Sequence, residues 1–362
     1  MVADQKNGAS HTNGTDKQLK CEPLVYSGSL DEFKSFDVTT IIGREFPDVQ
    51  LSNLLKSPDS ERLIKDLAIT ISQRGVVFFR NQDLDLEQQK ELVDKIGRLA
   101  GRPETSGLHV HPLYNSPDNT PLDDTGKMDR HVYVISSKTQ DKLYATMAHR
   151  MSVRPTSELW HSDITFENVP SDYSCLKITK TPTTGGDTLW ASGCEVYDRM
   201  SPSVREFLTT LTATHAQPVF KRSAAAVGCE IVSPRGSPDN SGDAFEVSHP
   251  VVRTNPVTGW RSIYAVGLHC RDIDGLTKHE SDRIKEYFDY MITHHHDLQV
   301  RFRWNPNDIA IWDNRSVFHS GTPDLVGERE GRRTTSVGER PYFDPASMTR
   351  REAMAKGTIK LV

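Results

Sequence analysis

The sequence predicts a mainly β fold with flanking helices, in the form of an antiparallel barrel or jelly roll. Short segments with strand-like alternation dominate from Glu158 onward, among them YSCLKITKT and DIAIWDNRSVFHS. Helical patterns are interspersed without the regular strand–helix alternation that indicates a parallel sheet. Successive strands are separated by short turns such as Gly-Gly and Asn-Pro-Asn-Asp, which suit antiparallel neighbours.

Amphipathic helices accompany these strands. SERLIKDLAITISQRG has apolar residues at helical spacing and ends at Gly75, a residue suited to terminate a helix. DLEQQKELVDKIGRLAG predicts a second helix, and GVVFFR between the two predicts a short buried strand. Further along, SPSVREFLTTLTATH predicts a helix with a serine N-cap, and TKHESDRIKEYFDYMITHHH predicts another amphipathic helix.

The chain shows no internal repeat and no clear linker. Residues 1–22 are polar and predict a disordered tail, residues 23–345 predict a single domain, and residues 346–362 predict a C-terminal tail. Residues 218–243, rich in Ser, Gly and Pro, predict a long surface excursion.

Composition excludes several functional classes. The net charge of -5 does not fit a nucleic-acid binder, and no apolar run approaches the ~20 residues that cross a bilayer. The N-terminus lacks the apolar core of a secretory signal. The five cysteines are scattered and form no CxxC pair, which favours a reducing, cytoplasmic location.

One short motif suggests a metal site. His161 and Asp163 in WHSDITF lie two residues apart, so on a strand they would share one face. His319, after the apolar strand in IWDNRSVFHSG, is the best candidate for a third ligand. Two histidines and one carboxylate leave three positions of an octahedral ion open, which suits non-haem Fe(II) with a bidentate co-substrate and O2. Alone, an HxD pair is more often structural.

Two further segments could complete such a site. GGDTLW combines a tight turn with Thr188, whose hydroxyl could point into a barrel. In GEREGRRTTSVGERPYF, Arg329 and Arg333 lie four residues apart, and on a returning strand Arg333 and Thr335 would share a face. A buried guanidinium is a bidentate clamp for a carboxylate. By charge alone, an exposed basic loop is the better explanation of this segment.

In this order, the HxD pair, GGDTLW, WDNR with its histidine, and the spaced arginines resemble the taurine dioxygenase (TauD/TfdA) family of Fe(II)/2-oxoglutarate oxygenases. The resemblance runs from about Val76 to Phe343, with close matches at LHVHPLY, WHSDITF, TGGDTLW, HPVVRT and RWNPNDIAIWDNR. The additional segments are typical of fungal members. The resemblance implies a double-stranded β-helix (jelly roll) core and an oxidoreductase that uses Fe(II), 2-oxoglutarate and O2.

Residue roles follow from the resemblance where positions match. It implies that His161, Asp163 and His319 bind the iron. It implies that Thr188 and Arg329 hold the distal carboxylate of 2-oxoglutarate, with Arg333 assigned to both the co-substrate and the substrate sides. The substrate side then comprises His111, Tyr114, Ser157, Ile164 through its backbone, Phe166 and Arg333.

The resemblance leaves two classes of substrate open. The leading expectation is taurine or a related sulfonate, oxidised to an aldehyde and sulfite with release of succinate and CO2. Ser157 replaces the family's asparagine, so a biosynthetic oxygenase that hydroxylates or cyclises a small amino acid or carboxylic acid is the main alternative. The spacing of the arginines also leaves Arg332 as an alternative to Arg333.

The expected binding partners follow from the same observations, and a zinc hydrolase is a more distant alternative function. The resemblance implies a small anionic substrate and a homo-oligomer, dimer or tetramer, and the composition predicts no nucleic-acid or membrane partner. A zinc hydrolase could also use two histidines and an aspartate with a metal-bound water. It would have no use for a dicarboxylate clamp formed by Thr188 and Arg329.

Overall fold

The computed structural model describes residues 22–114, 126, 129–138, 159–357 and 362. Its helices are α1 (Leu51–Lys56), α2 (Ser60–Arg74), α3 (Leu86–Leu99), α4 (Gly193–Asp198), α5 (Pro202–Leu208), α6 (Val219–Val227), α7 (Lys278–His294) and α8 (Arg350–Lys356). Its strands are β1 (Phe36–Asp37), β2 (Arg44–Phe46), β3 (Val76–Phe79), β4 (Tyr133–Ser136), β5 (Ser171–Lys180), β6 (Thr188–Ser192), β7 (Thr212–Ala216), β8 (Glu246–Pro250), β9 (Val252–Thr254), β10 (Arg261–Ile263), β11 (Cys270–Ile273), β12 (Gln299–Phe302), β13 (Ile309–Asp313), β14 (Val317–Gly321) and β15 (Glu330–Val337).

The larger sheet has the strand order β1-β2-β3-β13-β5-β15-β4. Adjacent strands in this sheet pair antiparallel, except β2 and β3, which pair parallel. The central strands β3 and β13 are buried along their whole length. Their sequences, VVFF and IAIWD, are almost continuously apolar because both faces of the sheet are covered.

The two faces of β3 contact different layers. Val77 and Phe79 belong to a core shared with α1, α2 and α3, so these helices cover the outer face of the sheet. Phe78 points the opposite way and stacks on Phe302, with ring centroids 4.2 Å apart. It also meets Trp190 edge-on at 5.4 Å. This alternation places the second core between the larger sheet and the smaller sheet β12-β6-β14.

A third sheet, β11-β7-β8, corrects one expectation. The predicted helix SPSVREFLTTLTATH is helical only at α5, and its second half forms β7. The threonines of Thr212–Ala216 favour the extended chain, and β7 is paired on both sides, by β8 and β11. The expectation was therefore wrong beyond Leu208.

The predicted excursion at residues 218–243 is partly a buried element. It contains α6, and its Arg235 is 1% exposed. Arg235 binds Glu167 with two hydrogen bonds, at 2.5 Å from Nε and 2.9 Å from Nη2. Asn240 bonds the backbone N–H of Val169 at 2.9 Å and its carbonyl at 2.7 Å. The segment is thereby tied to the chain that follows Asp163.

We expect Arg235→Met to lower the free energy of unfolding by about 3–5 kcal/mol, because it leaves the buried Glu167 carboxylate without its cation. Urea denaturation measures this difference. Arg340→Met is the matched control, since its pair with Asp239 is exposed and should contribute less than about 1 kcal/mol. Equal losses in the two variants would contradict the structural role of Arg235.

The ends of the chain and the cysteines add three observations. Residues 1–21 of the predicted tail lie outside the described residues, whereas α8 lies within the predicted C-terminal tail. Cys175, Cys194, Cys229 and Cys270 are free. Among the described residues, no helix has the length and apolar character needed to span a membrane.

Candidate active site

The HxD motif pairs with β14 through an isolated antiparallel bridge between His161 and His319. His161 and His319 exchange backbone hydrogen bonds, at 3.0 Å and 2.8 Å. His161 makes only this bridge, and Asp163 lies in the following turn, so the motif is not a regular strand. The predicted convergence nevertheless holds: ligand atoms of His161, Asp163 and His319 lie within 4.8 Å of one another.

Neighbouring groups orient these side chains. His161 Nδ1 lies 2.8 Å from the carbonyl of Leu159, which as acceptor fixes the proton on Nδ1 and leaves Nε2 free as a ligand. Asp163 Oδ2 accepts a 2.7 Å hydrogen bond from Ser174. The Asn314 amide donates to the same serine hydroxyl at 2.9 Å and accepts from the Asp163 N–H at 3.1 Å. Asp163 is therefore held through both its backbone and its carboxylate.

Burial sets the protonation states. It lowers the pKa of His161, and it lowers the pKa of His319 to about 3, with a further contribution from His161. Burial raises the pKa of Asp163, but Arg333 and the two histidines more than offset this, and the net pKa lies below the ordinary value. Neutral imidazoles and an ionised carboxylate are the forms that bind a metal.

The chain is strained directly after Asp163. Ile164 has φ +49°, in the left-handed region that β-branched residues rarely adopt, at a cost of about 1–3 kcal/mol. Its carbonyl accepts a hydrogen bond from the Glu167 N–H at 3.0 Å, closing a turn. The turn places Phe166 against Phe220 and Phe245, with ring centroids 5.3 Å and 5.8 Å away.

A cavity of about 280 Å³ extends from His161 and His319 to Thr188 and Arg329. Arg329 donates to the Gly186 carbonyl at 2.9 Å and to the Thr188 hydroxyl at 3.3 Å. Within the described chain, the structure records no ion pair for this guanidinium. Burial lowers its pKa to about 10, so it remains a cation at neutral pH. The cavity can therefore accept an anion at this end.

Arg333 lies on the side of β15 that faces the metal-ligand candidates. Its Nη1 donates to Asp163 Oδ1 at 2.5 Å. Thr335, two residues on, contacts the Ser174 hydroxyl at 3.1 Å, so the predicted shared face is observed. Arg332, on the opposite face, presents its carbonyl to Gln89. The geometry thus places Arg333, rather than Arg332, at the site.

His111 and Tyr114 lie near Arg333. His111 stacks on Tyr133 at 4.1 Å and meets Phe220 edge-on at 5.2 Å. His111, Tyr114 and Arg333 line one small cleft. Ser157 lies outside the described residues.

Sequence reasoning missed several residues that shape the site. Ser174 and Asn314 orient Asp163, and Trp304 donates to the Thr188 hydroxyl at 3.0 Å. His269 lies beside His161, with ring centroids 5.9 Å apart. Trp304 and Asn314 occur in RWNPNDIAIWDNR, so that motif was the available signal, whereas Ser174 and His269 carry no motif of their own.

We expect the metal-free protein to lose stability as pH falls below about 6.5. Burial lowers the pKa of His109 to about 3 and that of His249 to about 4. In the unfolded chain, the same histidines have a pKa of about 6.5. Each histidine therefore costs about 1.4 kcal/mol per pH unit until its folded pKa is reached. Urea unfolding in chelator between about pH 7 and pH 5 measures the slope, and a flat profile would contradict it.

Comparison with known proteins identifies the family. Residues 34–335 match the family described as "Taurine catabolism dioxygenase TauD, TfdA family". The chain belongs to this family. It is 49% identical to "Alpha-ketoglutarate-dependent dioxygenase btcD" of Neocamarosporium betae over 92% of this chain and 98% of that protein. It is 29% identical to "Alpha-ketoglutarate-dependent sulfonate dioxygenase" of Saccharomyces cerevisiae, over 89% and 71%.

A solved structure supports the same assignment. A taurine dioxygenase from Burkholderia xenovorans is 25% identical, with a TM-score of 0.62 over 87% of this chain and 92% of that one. The predicted sheet-rich fold with flanking helices is thereby confirmed. This TauD-family chain is an oxidoreductase, an alpha-ketoglutarate-dependent dioxygenase, as predicted. Its family implies Fe(II), 2-oxoglutarate and O2, which confirms the predicted cofactors.

The residues present fit an iron ion. The three candidate ligands are two neutral imidazoles and one carboxylate, a set that suits Fe(II) and leaves positions for other ligands. The Nδ1 contact of His161 leaves its Nε2 unprotonated toward the other two ligand atoms.

Proposed function

We propose that His161, Asp163 and His319 hold Fe(II) in this chain. The observation that carries the proposal is the convergence of their ligand atoms within 4.8 Å in a buried site. When bound, Fe(II) supplies the coupling of O2 activation to the oxidative decarboxylation of 2-oxoglutarate. The two facing sheets, β12-β6-β14 and the larger one, support a double-stranded β-helix (jelly roll) as the frame of the site.

Arg329 and Thr188 are the proposed anchor of 2-oxoglutarate. A carboxylate removed from water needs a buried cation, and Arg329 supplies one at the end of the cavity away from His161 and His319. Thr188 is kept in place by the Trp304 indole N–H, so its hydroxyl has a fixed position. Leu176 and Trp312 line the cavity and limit the access of water.

The proposed substrate is a small organic acid whose anionic group binds Arg333. The Nη1 group of Arg333 donates a hydrogen bond to Asp163, and within the described residues this is its one recorded hydrogen bond. The other N–H groups of the guanidinium can therefore donate to a bound anion. His111 and Tyr114 border the same cleft. Because burial lowers the pKa of His111, this histidine is a neutral hydrogen-bonding partner.

Two substrate classes fit this anion site. A sulfonate such as taurine would give an aldehyde and sulfite, and the yeast relative is named for sulfonates. A carboxylic or amino acid would be hydroxylated or cyclised. The relative at 49% identity is named only as an alpha-ketoglutarate-dependent dioxygenase, so both classes are tested.

Succinate release tests the proposal. The iron-loaded protein is incubated with 2-oxoglutarate and O2 against taurine, alkyl sulfonates and aliphatic amino acids, with sulfite assayed in parallel. Stimulation with matching sulfite supports sulfonate oxidation, and stimulation by an amino acid without sulfite supports the second class. Absence of succinate in every reaction, with His161→Ala indistinguishable from wild type, would overturn the proposed iron site.

A further inference from the structure

His269 occupies a position between the candidate metal ligands and the aromatic side of the site. Its ring meets Phe166 edge-on at 5.0 Å and His161 at 5.9 Å, in both cases nearly perpendicular. The ring centroid of Phe166 lies 5.3 Å from that of Phe220, which in turn lies 5.2 Å from that of His111. A row of ring contacts therefore runs from His111, in the cleft of Arg333, through Phe220 and Phe166 to His269, which lies next to His161.

The backbone around His269 is held rigidly. Gly267 has φ +82°, and a Cβ there would lie 1.7 Å from the carbonyl oxygen of Trp160, so only glycine allows this approach. The Leu268 N–H donates to that same carbonyl at 3.2 Å. The His269 carbonyl accepts from the Ala216 N–H at 2.8 Å. The backbone that carries the His269 ring is thus held beside the segment of Trp160 and His161.

The ring's two nitrogens differ in their surroundings. Nδ1 lies 3.3 Å from the side-chain Nε2 of Gln217, an amide nitrogen that can only donate. This contact makes Nδ1 the acceptor and leaves the proton on Nε2. Within the described part of the chain, the structure records no protein partner for His269 Nε2.

We propose that His269 Nε2–H donates a hydrogen bond to an uncharged oxygen of the substrate, a carbonyl or hydroxyl group separate from its acid group. The substrate class is then an oxygenated small acid, with its anion on Arg333, its carbon chain along Phe166 and its second oxygen at His269. The proposal rests on the proposed function, since it needs Arg333 as the anion site. Gln217 is a positioning residue, because it acts by fixing the proton on Nε2.

A purely structural role predicts different behaviour. Phenylalanine would preserve the edge-on contacts with Phe166 and His161, and the contact with Gln217 accounts for Nδ1 alone, so a purely structural role gives no reason for the second nitrogen, Nε2. The Nε2–H of His269 has no recorded acceptor among the described residues, and a substrate oxygen would supply one.

The test is calorimetric binding of matched acids to protein loaded with Mn(II) and 2-oxoglutarate without O2. The pairs are lactate with propionate, acetoacetate with butyrate, and levulinate with valerate. We expect the oxygenated member of at least one pair to bind wild type about tenfold more tightly. His269→Phe should abolish this difference between the two acids of the pair. His269→Gln, which keeps a donor, should restore most of it.

Gln217→Leu provides a second variant that leaves His269 in place. It should reduce the preference for the oxygenated acid, because the proton is no longer fixed on Nε2. A preference that survives in both His269→Phe and Gln217→Leu overturns the proposal. So does a wild-type protein that binds no oxygenated acid more tightly than its partner. Failure of wild type to bind Mn(II) or 2-oxoglutarate instead overturns the proposed function, so the two failures are distinguishable.

Discussion

Replacing His319 by alanine is expected to lower the affinity for Mn(II) or Fe(II) at least about 100-fold and to abolish succinate formation. Loss of an outer partner of a metal ligand already costs about 10–100-fold in affinity, and loss of a ligand costs more. His319 is also the residue that joins β14 to the HxD segment, but it does so through its backbone, which alanine retains. The variant should therefore fold. Calorimetry with Mn(II) gives the affinity, and a succinate assay gives the activity.

His294→Ala is the matched control for this experiment. His294 ends α7 and bonds the carbonyl of Tyr290 in its own helix, outside the group of metal-ligand candidates. Its loss should leave both metal affinity and succinate formation unchanged. Equal metal affinity in His319→Ala and wild type would exclude His319 as a ligand, and circular dichroism would show whether a loss of binding reflects misfolding.

The sequence was informative where function and local pattern coincide. His161 and Asp163 lie two positions apart, and a single bridge at His161 accompanies the convergence of both side chains on His319. The side of β15 that carries Arg333 and Thr335 follows from the period of a strand, once the segment is recognised as a strand. The roles of these residues in binding stay predictions.

Features that depend on distant pairing could not be read from local patterns. Ser174 reaches Asp163 because β5 lies between β13 and β15, an arrangement set by strand order rather than by spacing. The sequence places Arg235 in a polar surface loop, yet the residue is buried in an ion pair with Glu167, 68 residues earlier in the chain. Ile164 adopts a conformation that its residue type disfavours, and no propensity predicts that. His269 combines both difficulties, since its neighbours come from remote segments.

Replacing Arg329 by methionine should raise the KM for 2-oxoglutarate by about 30-fold or more, while iron binding remains. The physical reason is the isolation of the cation. Its recorded hydrogen bonds go to the Gly186 carbonyl and the Thr188 hydroxyl, so a bound carboxylate would be its charge partner. Removing one member of a buried, hydrogen-bonded charge pair costs about 2–5 kcal/mol, and each 1.4 kcal/mol corresponds to about tenfold in affinity.

Arg332→Met provides the control for this last prediction, because it removes the same charge from the neighbouring strand β15 on its opposite face. It should leave the KM for 2-oxoglutarate unchanged, which separates the local contact of Arg329 from a general loss of positive charge. Mn(II) affinity of Arg329→Met should equal that of wild type, since the guanidinium contacts none of the three candidate metal ligands. An unchanged KM in Arg329→Met would place the co-substrate elsewhere, and a KM raised equally by both substitutions would reduce the role of Arg329 to long-range attraction.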